Sequence, residues 1–382
     1  MHQKVMSLIL LLTLGAAATT LSKLLSNTRI DGNFRATYHN HDIKNDRVYE
    51  DDAIGGKFHI ETTFVDGLSL GTTVYGSTTV INDDNKGLIS LRGETHKSYS
   101  IVGEAYLKSE FGKSMLKIGR QELETPFADA DDIGMIPNTF EALTFMNNDV
   151  KNTSVFLGQI QKMSGVDAEV IDKFTKVNGS KNMQVIGLSY DGISDMAFSG
   201  WHYNLSGGEV DNINYLEVSS EKKMGKYGYA WGVQYSNQGH SRDKSAKVLG
   251  VTLSASANNL GLTVRGAYNE SKDNVAFSGF GGGPFFSNSE YLILDNAGKD
   301  ANAKWFGFEF DATIIGIAGL NMGLGKIILE TKSKEKASEV DFVASYEFNQ
   351  DTEIHLIYSD LKGTNVGEDD AKHLRVYANY NF

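Results

Sequence analysis

The last ten residues, HLRVYANYNF (373–382), decide how the chain is read. Leu374, Val376, Ala378, Tyr380 and Phe382 share one parity, and Arg375, Tyr377, Asn379 and Asn381 share the other. A period of two sends alternate side chains to opposite faces of a strand. One face of this strand is apolar up to a terminal aromatic, and the other is polar. Such a strand has an apolar medium on one side and water on the other.

The same alternation recurs towards the N-terminus. Ile30, Gly32, Phe34, Ala36 and Tyr38 interleave with Arg29, Asp31, Asn33, Arg35 and Thr37. Phe58, Ile60, Thr62 and Phe64 interleave with Lys57, His59, Glu61 and Thr63. Tyr99, Ile101, Gly103, Ala105 and Leu107 interleave with Glu104, Tyr106 and Lys108. Further runs follow at Tyr229–Tyr235, Leu260–Tyr268, Phe306–Ile314 and Val340–Phe348. They last about ten residues, the span of a tilted transmembrane strand and longer than an ordinary one.

Turn signals divide the runs. Tight connections are expected at Asp66-Gly67, Phe111-Gly112, Asn147-Asn148-Asp149, Asp191-Gly192, Met224-Gly225, Asn258-Asn259, Gly316 and Asn349-Gln350-Asp351. These residue types tolerate the positive φ of hairpin turns. Longer polar segments lie between them, at 40–52, 82–96, 121–139, 162–182, 205–212, 237–246, 271–302, 331–338 and 361–372. Eight short turns alternating with nine loops predict an all-β, antiparallel transmembrane β-barrel of about 18 strands, with both termini on the short-turn side. All three prolines, Pro126, Pro137 and Pro284, fall in loops, as a ladder without edges requires.

Composition agrees. The 382 residues contain 40 Gly, 10% aromatics, no Cys and a net charge of −12. The missing cysteines exclude disulfide frameworks and thiolate metal sites. The acidic balance argues against a nucleic-acid partner. Residues 1–18 read as a cleaved signal peptide, with Lys4 in a basic lead, an apolar stretch Val5–Leu14, and small residues to Ala18. The single domain is then 19–382.

Eighteen strands enclose a lumen too wide for their own side chains to fill, so an aqueous channel is expected. The inward parity supplies a basic wall of Arg29, Arg35, Lys108, Arg265 and Arg375. The segment 119–142, GRQELETPFADADDIGMIPNTFEA, is the candidate for an inward-folded constriction loop, at about 120–142. Pro126, Phe127, Pro137 and Phe140 are its expected anchors. Its charges are Arg120 against Glu122, Glu124, Asp129, Asp131, Asp132 and Glu141. An acidic loop facing a basic wall predicts a transverse field and a mild cation preference.

This segment resembles the constriction loop of the OprD-type outer membrane porin family, particularly its epsilonproteobacterial branch. The matching run is Arg120-Gln121-x-Leu123-x-Thr125-Pro126-Phe127 followed by Asp131 to Ala142. Gly134 departs from family members that carry a basic residue there. The terminal aromatics Tyr380 and Phe382 resemble the closing signal of bacterial outer-membrane barrels. The resemblance implies passive passage of small hydrophilic solutes and ions, outer-membrane lipid around the wall, and barrel-assembly machinery reading the last strand. It leaves a homotrimer open and implies no cofactor.

Other constellations carry less. Gly67-Leu68-Ser69-Leu70-Gly71 fits G-x-S-x-G, but a strand follows where a nucleophile elbow needs a helix. Asp129, Asp131 and Asp132 form a weak candidate for Ca2+, with loosely held counterions the favoured reading. His39-Asn40-His41-Asp42 has metal-binding residue types, but its place before a loop favours simple solvation. Gly279–Gly283 reads as a loop glycine run. A structural or adhesive barrel, or a hydrolase at the rim, is the alternative class.

Overall fold

The protein is described by a computed structural model covering residues 26–46, 48–80, 91, 98–179, 181–206, 208, 210–363, 366 and 370–382. The expected signal peptide, 1–18, lies outside these residues.

Eighteen long strands form the wall. They are β1 (Thr28–Ile43), β2 (Val48–Val65), β3 (Leu68–Thr78), β4 (Tyr99–Phe111), β5 (Ser114–Gln121) and β6 (Thr139–Asn147). Then come β7 (Thr153–Ser164), β8 (Met183–Ile193), β9 (Met196–Asn204), β10 (Val210–Met224), β11 (Tyr227–His240) and β12 (Ala246–Ala257). The last are β13 (Leu262–Lys272), β14 (Asn302–Asp311), β15 (Leu320–Glu330), β16 (Lys336–Asn349), β17 (Thr352–Lys362) and β18 (Ala371–Asn381). Each pairs antiparallel with the next. β18 returns to β1 in register from Asn33↔Asn381 to Ile43↔Ala371, which closes the barrel.

The alternation holds in the wall. Phe34 is 63% exposed on the outer face, while its neighbour Arg35 is 8% exposed inside. At the seam, Phe382 packs its ring 5.4 Å from that of Phe34 and 6.4 Å from that of Phe58. The Phe382 backbone exchanges both hydrogen bonds with Gly32, at 3.0 Å each.

Four features differ from the sequence reading. First, the strands on the loop side run further than expected, so the connections at 44–47, 205–209, 241–245 and 331–335 are brief. Polar residues on both faces hide a strand from period counting, yet its ladder continues beyond the apolar band. Second, Asp191-Gly192 is not the turn. β8 passes through it with a register irregularity and ends at Ile193. Third, the Phe306 run stops at Asp311, whose side chain accepts from the Thr313 N–H at 2.9 Å and caps a 3-10 turn over Ala312–Ile315.

Fourth, the parity of β4 changes midway. Thr73 pairs with Glu104 but Val74 pairs with Val102, so Gly103 is an extra residue. One extra residue exchanges the faces of everything beyond it. Ile101 therefore points inward and is buried, and Val102 faces out at 40% exposure. Ile101 joins an inner cluster with Ala53, Tyr75, Met135 and Ile136. A Cβ at Gly103 would lie 2.5 Å from the Tyr75 ring, whereas one at Gly76 meets nothing nearer than 3.6 Å. Gly103→Ala is expected to destabilise the barrel by about 1–3 kcal/mol, the usual cost of overpacking. The urea midpoint of the folded barrel should fall, with Gly76→Ala close to wild type.

Candidate functional site

The lumen is crossed by two long loops, 122–138 and 273–301. The first leaves β5 through a small hairpin, Glu124–Thr125 paired with Ala128–Asp129. Thr125 fixes the turn, its hydroxyl donating to the Ala128 carbonyl at 2.9 Å. Leu123 and Phe127 enter the main buried cluster, which also takes Phe140, Ile160, Tyr203 and Tyr215 from the wall. The Phe127 ring stands edge-on to Tyr203 at 5.4 Å, to Tyr215 at 5.6 Å and to Phe285 at 6.1 Å. Phe127 and Phe140, at 1% and 0% exposure, lie inside this cluster. Pro137 is buried and Pro126 half-buried.

The tip of this loop is bound to the barrel seam. The Arg35 guanidinium grips the Asp132 carboxylate at 2.7 and 3.0 Å and donates to the Gly134 carbonyl at 2.5 Å. Arg35 is itself oriented by Asn379 at 2.8 Å. The Tyr377 hydroxyl donates to the Ile133 carbonyl at 2.7 Å. Behind the tip, Asn138 exchanges hydrogen bonds with Asp167 at 2.7 and 3.0 Å, tying in the neighbouring loop 165–182.

The second loop is the larger surprise, since sequence reading assigned it no inward role. Phe280 bridges in parallel to Ala128. Asp129 donates its N–H to the Phe280 carbonyl at 3.0 Å, and Phe280 donates to the Phe127 carbonyl at 2.9 Å. The glycine run permits this contact. Gly279 and Gly281 have φ of +99° and +141°, and a Cβ on either would lie 2.6 or 2.7 Å from a carbonyl oxygen of the first loop. Wall side chains satisfy further groups of its backbone. Arg265 donates to the Phe286 carbonyl at 2.8 Å, Asn269 accepts from Ser287 at 2.9 Å, and Glu339 accepts from Leu292 at 2.7 Å. Arg375 forms an ion pair with Glu290.

The basic wall is therefore a set of clamps. Arg35 holds the first loop, while Arg265 and Arg375 hold the second. Lys108 pairs with Glu61 at 2.7 Å within the wall, and Arg29 with Asp31 at 2.7 Å near the first turn. Lys117 and Lys57, absent from the candidate set, lie 3.7 Å from Glu104 and 3.8 Å from Glu122. Glu122 also accepts from the Tyr75 hydroxyl at 2.7 Å.

The loop acids are dispersed. Asp132 points to Arg35. Asp129 accepts from the Asp131 N–H at 2.9 Å. The Asp131 carboxyl is pushed up to about 7 by burial and by the nearby Asp167 charge. Glu124 is exposed on the hairpin. Among the described residues, no three acids or histidines stand together as ready metal ligands, so the Ca2+ candidate at Asp129, Asp131 and Asp132 is not assembled. Arg120 and Glu141 are placed differently from expectation. They pair across β5 and β6 in phase with the outward Ile118 and Leu143, which puts them on the outer face. Arg120 caps the Val102 carbonyl at 3.0 Å, above the point where β5 stops pairing with β4. Glu141 pairs with Lys162 at 3.1 Å.

A closed barrel of this strand number with two loops folded into it invites comparison with known channels. Residues 25–382 match the family described as outer membrane porin, OprD family. The chain belongs to the OprD family of outer membrane porins. It is an integral outer-membrane protein forming a channel for small solutes. Pseudomonas aeruginosa OccK9 (OpdG) superposes with a TM-score of 0.80 at 16% identity, covering 94% of this chain and 99% of that one. A BenF-like porin from Pseudomonas fluorescens Pf-5 gives 0.81 at 14% identity, with the same coverages of 94% and 99%. Pseudomonas aeruginosa OpdK, solved with vanillate, gives 0.80 at 15% identity over 94% and 99%. Among curated proteins, none matches the chain significantly.

In this OprD-family porin the Arg35–Asp132 contact is a latch rather than a charge facing its opposite across water. Arg35→Ala and Asp132→Ala should therefore produce the same effect in planar bilayers: higher open-channel noise and higher conductance as the loop tip is released. If the two residues acted as separate wall charges, the substitutions would instead shift ion selectivity in opposite directions, without added noise.

Proposed function

We propose that this porin passes small hydrophilic solutes passively, with a mild cation preference, through a constriction set jointly by loops 122–138 and 273–301. The observation that carries this reading is the engagement of the basic lumen side chains. Arg35, Lys57, Lys108, Lys117 and Arg375 each have a carboxylate within 4 Å. Arg265 is spent on a carbonyl. Positive potential at the wall is thereby neutralised locally, and acids such as Glu124 on the exposed hairpin act on a passing ion. A lumen with excess carboxylate concentrates cations, and low-dielectric walls strengthen the effect. In a salt gradient across a planar bilayer the reversal potential should have the sign of cation preference. A reversal potential of anion sign would overturn the proposal.

Asp131 makes the preference pH-dependent. Its raised carboxyl is largely protonated at pH 5 and ionised at pH 8. Cation selectivity should therefore rise as pH passes through about 7, and Asp131→Asn should remove that step. The same shift acts on stability. The folded state holds a proton that the unfolded chain releases near pH 4, so this group's contribution is present below that pH and declines between about 4 and 7. Loop noise should increase over the same interval and level off above it.

A further inference from the structure

The outer rim of the wall carries a charge imbalance that the channel does not use. Along the loop side, several lysines are matched one to one with acids. Lys247 pairs with Asp273 at 2.9 Å, Lys272 with Glu270 at 3.3 Å, Lys332 with Asp300 at 2.6 Å and Lys362 with Asp360 at 3.5 Å. The face over β14–β16 departs from this pattern. Glu330, at the end of β15, takes both Lys334 at 2.7 Å and Lys336 at 3.7 Å. Lys304 and Lys326 share that face, and among the described residues neither has a carboxylate within 4 Å. Four ammonium groups therefore face one carboxylate, in a chain whose net charge is −12.

Both unpaired lysines point to the lipid side. Lys304 is in phase with Phe306, 64% exposed, and alternates with the buried, inward Ala303. Lys326 is in phase with the exposed Leu324 and alternates with the buried, inward Ile327. The ladder sets Lys304 opposite Ile328 and Phe306 opposite Lys326. The two lysines are thus diagonal neighbours, about 7–8 Å apart. Their partners on the adjoining strands are Tyr268 and Val340, not acids. Both lie near the loop ends of their strands, β14 beginning at Asn302 and β15 ending at Glu330. The apolar band begins directly beneath them with Phe306, Phe308 and Leu324.

The loops of such a barrel lie outside the cell and the short turns in the periplasm, so this face meets the headgroups of the outer leaflet. A single lysine reaches that level by laying its stem along apolar surface. Reach alone does not account for a cluster, because like charges on neighbouring strands repel. An anionic headgroup offsets the repulsion, and basic clusters at a membrane interface recognise anionic lipids in this way. Two lysines set apart, with a further excess at Lys334 and Lys336, suit a headgroup carrying more than one phosphate. The Tyr268 phenol, opposite Lys304, adds a donor at the same level.

We propose that Lys304, Lys326, Lys334 and Lys336 form a docking site on the outer face of β14–β16 for a multiply phosphorylated glycolipid of the outer leaflet, its acyl chains lying on Phe306, Phe308 and Leu324. The site lies outside the lumen and does not depend on the proposed selectivity.

The test uses the mature protein, folded in a neutral detergent and titrated with diphosphoryl lipid A under native mass spectrometry. One saturable lipid is expected, with binding roughly tenfold weaker for dephosphorylated lipid A and for phosphatidylglycerol. The double variant Lys304→Gln/Lys326→Gln should lose a similar roughly tenfold factor. Lys247→Gln/Lys362→Gln, at matched lysines on the same rim, should bind as the wild type does. Added salt should weaken wild-type binding more than that of the Lys304/Lys326 variant. Heat-modifiable migration on gels certifies folding; where the double variant fails to fold, Lys326→Gln alone replaces it. Conductance in planar bilayers should be unchanged in all of them, which separates this site from the channel reading. Absence of saturable lipid A binding, equal binding of the dephosphorylated lipid or of phosphatidylglycerol, or undiminished affinity in the folded Lys304/Lys326 variant would overturn the proposal.

Discussion

Everything in this molecule depends on the hydrogen bonds between its first and last strands. In hydrocarbon an unpaired backbone group costs several kcal/mol, so a sheet crossing a membrane must close on itself. The closing pair runs from Asn33↔Asn381 to Ile43↔Ala371. The same seam carries Arg35, His39, His41, His373, Arg375 and Tyr377 on its inner face. Arg35 and Asn379, 344 residues apart in sequence, meet only because the ring is complete. Folding that leaves the seam open therefore lacks both the membrane-competent wall and the surface on which the loops dock.

The wide lumen creates the second demand. Two loops of irregular backbone are packed inside, and their N–H and carbonyl groups need partners where regular ladders supply none. Wall side chains provide them: Gln238 brackets Phe277, Asn269 takes Ser287, and Glu339 takes Tyr291 and Leu292. Charged residues on the inner face thus meet a structural need before any solute arrives. Arg35 and Arg375 are the buried members of their pairs, so removing the acid leaves a desolvated cation unpaired, which is costlier than losing both. The latches consequently resist drift.

The period-two pattern made the wall legible, because each strand lies between lipid and water and must alternate. Strand number, the closing strand and an inward-folded loop within 119–142 were read from that pattern, the turn signals and apolar residues such as Phe127 and Phe140. What escaped lies where alternation carries no information. Gly103 shifts parity without any local signal, since a bulge shows only against its partner strand. Arg120 and Glu141 sit beyond the narrow apolar band, where charge on the outer face is tolerated, so their polarity said nothing about direction. Glu290 and Asp167 gain their roles through loop contacts that have no period. His39 and His41 were legible as residue types but not as a pair with His373, which stands opposite only after closure.

The glycine run at 279–283 shows how the two loops become one device. Between them lies a parallel bridge at Ala128 and Phe280, with backbone hydrogen bonds on both sides of it. Side chains at Gly279 or Gly281 would hold the backbones apart, so close approach requires their absence. Once the loops touch, each is also held through the wall clamps of the other: Arg35 and Tyr377 on the first, Arg265, Glu339 and Arg375 on the second. A displacement of 273–301 must therefore move the hairpin at 124–129. On the proposed reading, the aperture is a property of the pair of loops and of the seam that holds them.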